Sequence, residues 1–134
     1  MRSRHQSWGR GSIAGVPIVD VELVGDGDLP SALTQRLADA LGEALSSRPQ
    51  GTWVRVRRLD CSGYAENSGA ADDVHPVFVT VLERVRPTGQ DLGDRIAAVT
   101  AAVAEVTGRD PAHVHVLYDA DARGRLAFGG DLVE

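Results

Sequence analysis

The stretch PIVDVELV, residues 17–24, alternates Val19, Val21 and Leu23 with Asp20 and Glu22. That period of two marks a half-buried β-strand, and proline is tolerated as its opening residue because it has no N–H to give the ladder. WVRVRRL (53–59), PVFVTVLERV (76–85) and HVHVLYD (113–119) carry the same strand-like character. Between them the period lengthens. Leu33, Leu37, Leu41 and Leu45 form one stripe, predicting an amphipathic helix from about Pro30 to Ser46. Leu92, Ile96, Val99, Val103 and Val106 form another, predicting a helix from Thr88, an N-cap residue type, to Thr107, with Gly108 as its stop.

The pattern is written twice. An offset of about 60 residues carries Pro17 onto Pro76, Leu33 onto Leu92, Leu37 onto Ile96, Ala40 onto Val99 and Ala44 onto Val103. Each half, 17–75 and 76–134, therefore reads strand, helix, strand. A helix between two strands is the crossover that parallel pairing requires. Two such units predict an α/β (α+β) domain: a four-stranded sheet with both helices on one face. The opposite face still bears apolar residues and needs cover, which predicts self-association. A ferredoxin-like two-layer fold fits the same pattern.

Composition narrows the class. The 134 residues suffice for one domain, and with 43% hydrophobic but only 4% aromatic residues the core must be aliphatic. A net charge of -5 and a pI near 5.3 argue against a general nucleic-acid binder. The aliphatic run IAAVTAAVAEV is too short to span a bilayer. One cysteine, Cys61, allows neither a disulfide framework nor a multi-cysteine metal site, which fits a cytoplasmic protein. His113 and His115, two apart, are poor evidence for a metal without further ligands. Residues 1–16 lack the apolar core of a secretory signal and read as a flexible leader.

A unit of this length that opens on proline, and a chain that closes on an FGG turn, resembles 4-oxalocrotonate tautomerase. Two fused units resemble the larger members of the tautomerase superfamily, which include macrophage migration inhibitory factor. The resemblance covers Pro17 to Glu134 and rests on PIVDVEL, WVRVRRL and GRLAFGGDLV in that order. It implies a homotrimer and a cofactor-independent isomerase for small 2-oxo or enol carboxylic acids, with no metal. In that family an N-terminal proline is the general base. Its secondary amine, its pKa lowered by nearby cations in an apolar pocket, moves a proton along a conjugated acid. Arginines grip the substrate carboxylate and stabilise the developing enolate. Carried onto this chain, the base is Pro17. The strand-end arginine falls on Gly27 in the first unit and Arg86 in the second, with Arg84 two before it, and the second-strand arginine falls on Arg55. The aromatic position falls on Tyr64, and in the second unit on Leu126 or Phe128. Glu66 is a possible water-activating carboxylate by analogy with the superfamily's dehalogenases and hydratases.

The sequence departs from that pattern where it matters most. With residues 1–16 attached, the Pro17 nitrogen is a tertiary amide and has no basic lone pair. The mechanism requires Pro17 to become the first residue. A GTG codon at Val16, read as an initiator and followed by loss of the methionine, would achieve this, as would proteolysis of the leader. Plainer readings stand beside the catalytic ones. Arg55 and Arg57 are salt-bridged surface residues, Arg84 and Arg86 are solvated charge at an edge, and YAENSG (64–69) is a polar turn with Asn67 or Gly69 at positive φ. On those terms the chain is a catalytically silent, oligomeric binding protein.

Overall fold

The computed structural model describes residues 17–71 and 74–134; the leader read at residues 1–16 lies outside the described residues. In chain order the elements are β1 (Ile18–Val24), α1 (Leu33–Ala44), β2 (Trp53–Leu59), β3 (Val77–Leu82), α2 (Gly89–Thr107) and β4 (Val114–Tyr118). A hairpin follows, β5 (Ala127–Phe128) and β6 (Asp131–Leu132). The main sheet has the order β2-β1-β3-β4. Each strand–helix–strand unit closes in parallel, β1 on β2 and β3 on β4, and the units meet through the antiparallel pair β1–β3. This is a mixed four-stranded sheet with two helices, as the repeated pattern predicts.

Alternation along the strands sorts their side chains. Val19, Val21 and Leu23 of β1 and Val77, Val79 and Val81 of β3 are buried in one core with Leu33, Leu37 and Leu41 of α1 and Val99 and Val103 of α2. Burying each such side chain is worth about 1.5–3 kcal/mol, so this aliphatic layer dominates stability. The opposite face carries Ile18, Asp20 and Glu22 of β1, Arg55 and Arg57 of β2, Phe78 and Thr80 of β3, and His115 and Leu117 of β4. No element among the described residues lies over it as the helices do over the other face, and Leu117 is 63% exposed there.

Helix ends differ from expectation in two places. Residues 30–32 form a turn instead of a first helical turn, the Leu33 amide donating to the Pro30 carbonyl, so α1 begins three residues later than its stripe suggests. Thr88 is in the N-cap position of α2 with extended backbone but makes no side-chain cap. Gly108 ends α2 as expected, at φ 73 with its amide on the Ala104 carbonyl. His113 belongs to a 3-10 turn, Pro111–His113, initiated by Asp110, and β4 starts only at Val114. The two histidines therefore do not share a strand face.

Candidate active site

The antiparallel β1–β3 junction decides which residues share an end of the sheet. Ile18 is opposite Leu82, so Pro17 lies at the same end as the segment that leaves β3 and contains Glu83, Arg84 and Arg86. Parallel pairing brings the start of β2 there too, where the Trp53 amide donates to the Pro17 carbonyl over 3.0 Å. Pro17 itself is buried.

The chain's last residues fold back onto this end. The Arg84 Nε donates to the Glu134 carbonyl at 2.6 Å, and the Arg86 amide to Asp121 Oδ1 at 2.8 Å. Gly129 and Gly130, with φ 58 and 94, supply the two positive φ values of a tight hairpin turn. That turn sets the Phe128 ring edge-on to Trp53 at a centroid distance of 5.1 Å. Phe128, one of the two second-unit aromatic candidates, thus flanks the Pro17 end from within the same chain.

Behind these groups lies a network that no spacing in the sequence announces. Glu83 Oε2 accepts from Arg95 Nη1 of α2 at 2.9 Å and from the Tyr118 hydroxyl at the end of β4. Burial first, then the bond to Glu83, hold the Tyr118 phenol well above its usual range. Burial lowers the Arg95 pKa more than any one neighbour raises it, but the charges and hydrogen bonds of Glu83 and Tyr118 together outweigh it and the net shift is upward. The network comes from three elements far apart in sequence. Its one sequence signal is a carboxylate at position 83, continuing the inward parity of Val77, Val79 and Val81.

The remaining candidates are not brought to Pro17. Arg55 is two positions into β2 on the open sheet face and is 73% exposed at its side chain. It grips Asp20 through two hydrogen bonds, Nε to Oδ1 at 2.6 Å and Nη2 to Oδ2 at 2.9 Å. Its pKa is raised by that bond and by the Asp20 charge. Arg57 lies 3.9 Å from Glu22, so both β2 arginines have a cross-strand acid, as the surface reading held. Tyr64 packs at 6.0 Å against Phe78, which is opposite Glu22, about four strand positions or ~13 Å from the Ile18–Leu82 level. Its hydroxyl donates to Glu66 Oε2 at 2.6 Å, which raises the Tyr64 pKa. Tyr64 and Glu66 are therefore at the opposite end from Pro17 of the same chain. In their turn the positive φ values fall on Ser68 and Gly69, and not on Asn67. Among the described residues no group of three or more His, Cys, Asp or Glu is placed to hold a metal ion. None of their helices is long and apolar enough to cross a membrane.

Two strand–helix–strand units joined by an antiparallel β1–β3 pair, with both helices on one face, give the fold seen in solved structures of fused 4-OT and macrophage migration inhibitory factor. A fused 4-OT in a symmetric trimer superposes with a TM-score of 0.67 at 18% identity, covering 87% of this chain and 94% of that one. Macrophage migration inhibitory factor from Oncomelania hupensis gives 0.67 at 16% identity over 89% of this chain and 83% of that one. A protein designated Pt0534, in a crystal structure of its form inactivated by 2-oxo-3-pentynoate, gives 0.67 at 15% identity over 87% and 94%. No protein-family model matches the chain, and no curated protein sequence matches it.

Proposed function

We propose that this chain is a cofactor-independent tautomerase for small 2-oxo or enol carboxylic acids, active when Pro17 is the first residue. The observation that carries the proposal is the arrangement at one end of the sheet: Pro17 opens β1 where β3 releases Arg84 and Arg86. A free Pro17 amine at the sheet end that also carries the Arg84 and Arg86 guanidinium groups would have its proton affinity lowered toward neutral pH by their charge. It would take a proton from the carbon or enol oxygen of a bound acid and return it elsewhere on the conjugated chain. Arg86, whose guanidinium is exposed, receives the carboxylate, and Arg84 stabilises the enolate charge. Trp53 and Phe128 give the apolar wall. Pro76 is an amide in any form of the chain and is structural.

The active assembly in this reading is a cytoplasmic homotrimer, in keeping with the trimeric fused 4-OT neighbour and with the bare sheet face. Within it Tyr64, Glu66 and Arg55 reach a Pro17 only from an adjacent subunit, and a hydratase or dehalogenase role for Glu66 has the same requirement. A silent binding protein is the second reading. It is favoured by the bidentate Arg55–Asp20 pair, which occupies the second-strand arginine.

The test compares the full chain with a version starting at Pro17 in the ketonisation of an aryl enolpyruvate. Activity is expected only in the short form, and Arg86→Ala in that form should raise KM or cut kcat by about tenfold or more, the loss of one charge-assisted contact. Equal activity in both forms removes Pro17 as the base. Carboxylate binding without turnover in either form selects the second reading.

A further inference from the structure

The end of the sheet opposite Pro17 holds a different collection of charges. Arg58 points from β2 to the helix side and donates from Nε to the Gly27 carbonyl and from Nη2 to the Asp28 carbonyl, both at 3.1 Å. Arg109, one residue past the α2 cap, donates from Nη1 to the His75 carbonyl at 2.6 Å. Each guanidinium is therefore anchored by backbone oxygens, which fix its position without neutralising it. Among the described residues, the nitrogens left without a hydrogen bond are Arg58 Nη1 and Arg109 Nε and Nη2. Arg58 Nη1 and Arg109 Nη2 converge on Gly25, where a Cβ would meet them at 3.1 and 3.3 Å. The two are thus separated by no more than the sum of those distances. Gly25 has φ 152, a backbone conformation side chains rarely adopt, so the chain keeps this point bare.

Neither arginine has an acidic side chain within ion-pair distance among the described residues. Asp26 is nearby, but its Oδ1 accepts from the Cys61 amide. At the Pro17 end the comparable arginine, Arg95, has Glu83 at 2.9 Å. Two like charges held together in a half-buried place cost free energy unless something negative sits between them. Burial, followed by the Arg58 charge, depresses the Arg109 pKa against a smaller opposing contribution from Cys61. Convergent N–H groups on two preorganised guanidinium forks match the oxygens of one carboxylate or phosphate group.

We propose that the Arg58–Arg109 pair over Gly25 is a second ligand site, separate from the Pro17 end, that binds an oxyanion carried by a small molecule as a carboxylate or phosphate group. Pro76 lies beside it, its carbonyl accepting from the Val24 amide at 3.0 Å, but its nitrogen is acylated by His75. The site therefore binds without proton transfer, and its occupancy does not depend on how Pro17 is exposed.

The experiment uses the full chain, titrated with inorganic phosphate and separately with acetate, and followed by amide and arginine Nε resonances. Saturable shifts are expected at Gly25, Arg58 and Arg109, in the millimolar range or tighter. The anion that saturates at lower concentration identifies the headgroup class. Arg58→Gln and Arg109→Gln should each weaken binding at least about tenfold, while Arg48→Gln, in the loop between α1 and β2, should not. Because Arg109 also anchors His75, its variant is checked by the dispersion of the remaining amide spectrum, and the Gly25 shifts of the unaltered chain stand independently of it. Shifts that fail to saturate with both anions, or that centre elsewhere, overturn the proposal. So does a tenfold gain in affinity in the doubly substituted D72N/D73N chain, which would make those carboxylates the natural occupants.

Discussion

Tyr118 donates a hydrogen bond from its phenol to Glu83 in a nearly closed space, and a simple titration exposes the consequence. The native state keeps that proton to higher pH than the unfolded chain, whose phenols ionise near pH 10 as a rough reference. The stability this contributes is complete below that pH and is lost as pH rises through it toward the higher native value. The chain contains no lysine and its arginines stay charged throughout, so no basic side chain masks the loss of the Tyr118 proton on the alkaline limb. Denaturant midpoints between about pH 8 and 11 should fall more steeply for the parent than for Tyr118→Phe. Parallel curves would show that the Tyr118–Glu83 hydrogen bond does not hold the phenol proton in solution. Leu37, fully buried beneath the sheet, sets the scale for packing. Leu37→Ala should cost about 2–5 kcal/mol in an equilibrium unfolding experiment, through lost transfer energy and the cavity left behind.

At the scale of elements, α2 ends at Thr107 because Gly108, which follows it, takes a left-handed conformation. A Cβ added at Gly108 meets nothing within 4 Å, so Gly108→Ala suffers only the backbone penalty. The expected loss is about 1–2 kcal/mol, read as a lower melting temperature without a change in the native spectrum. Stripes and alternation made these elements legible in the sequence: Leu33, Leu37, Leu41 and Val103 are buried where their spacing placed them. What periodicity left out has a common cause. The turn at 30–32, the 3-10 turn ending at His113, and the Arg55–Asp20 pair depend on local capping or on cross-strand register, neither of which a repeat records. The Glu83–Arg95–Tyr118 network was out of reach for the same reason. It exists only once β3, α2 and β4 have packed.

For the whole molecule, the repeat foretold two parallel units but carried no information on how they join. The antiparallel β1–β3 ladder settles that, and with it the separation of Tyr64 and Glu66 from Pro17. The face turned away from the helices exposes Leu117 by 63% and Phe78 by 38%. A patch of that kind on a sheet needs a partner surface. If identical chains supply it, the doubly substituted F78D/L117D chain should run as a monomer in light scattering while the parent runs as a trimer. A parent that is monomeric at working concentrations would contradict the assembly, and with it any role for Tyr64 or Glu66 beside Pro17.

The peptide that joins the halves also changes what mutation can do. In a ring of single-unit chains every substitution is copied into every equivalent position, so a change that helps one place must be tolerated at all. Here each half is inherited separately, and a change in one leaves the other untouched. The pair Arg58 and Tyr118, near the ends of β2 and β4 on the helix side, already illustrates this freedom: one is tethered to backbone carbonyls and the other to a carboxylate. One gene can thereby refine two unlike ends of the same sheet at different rates.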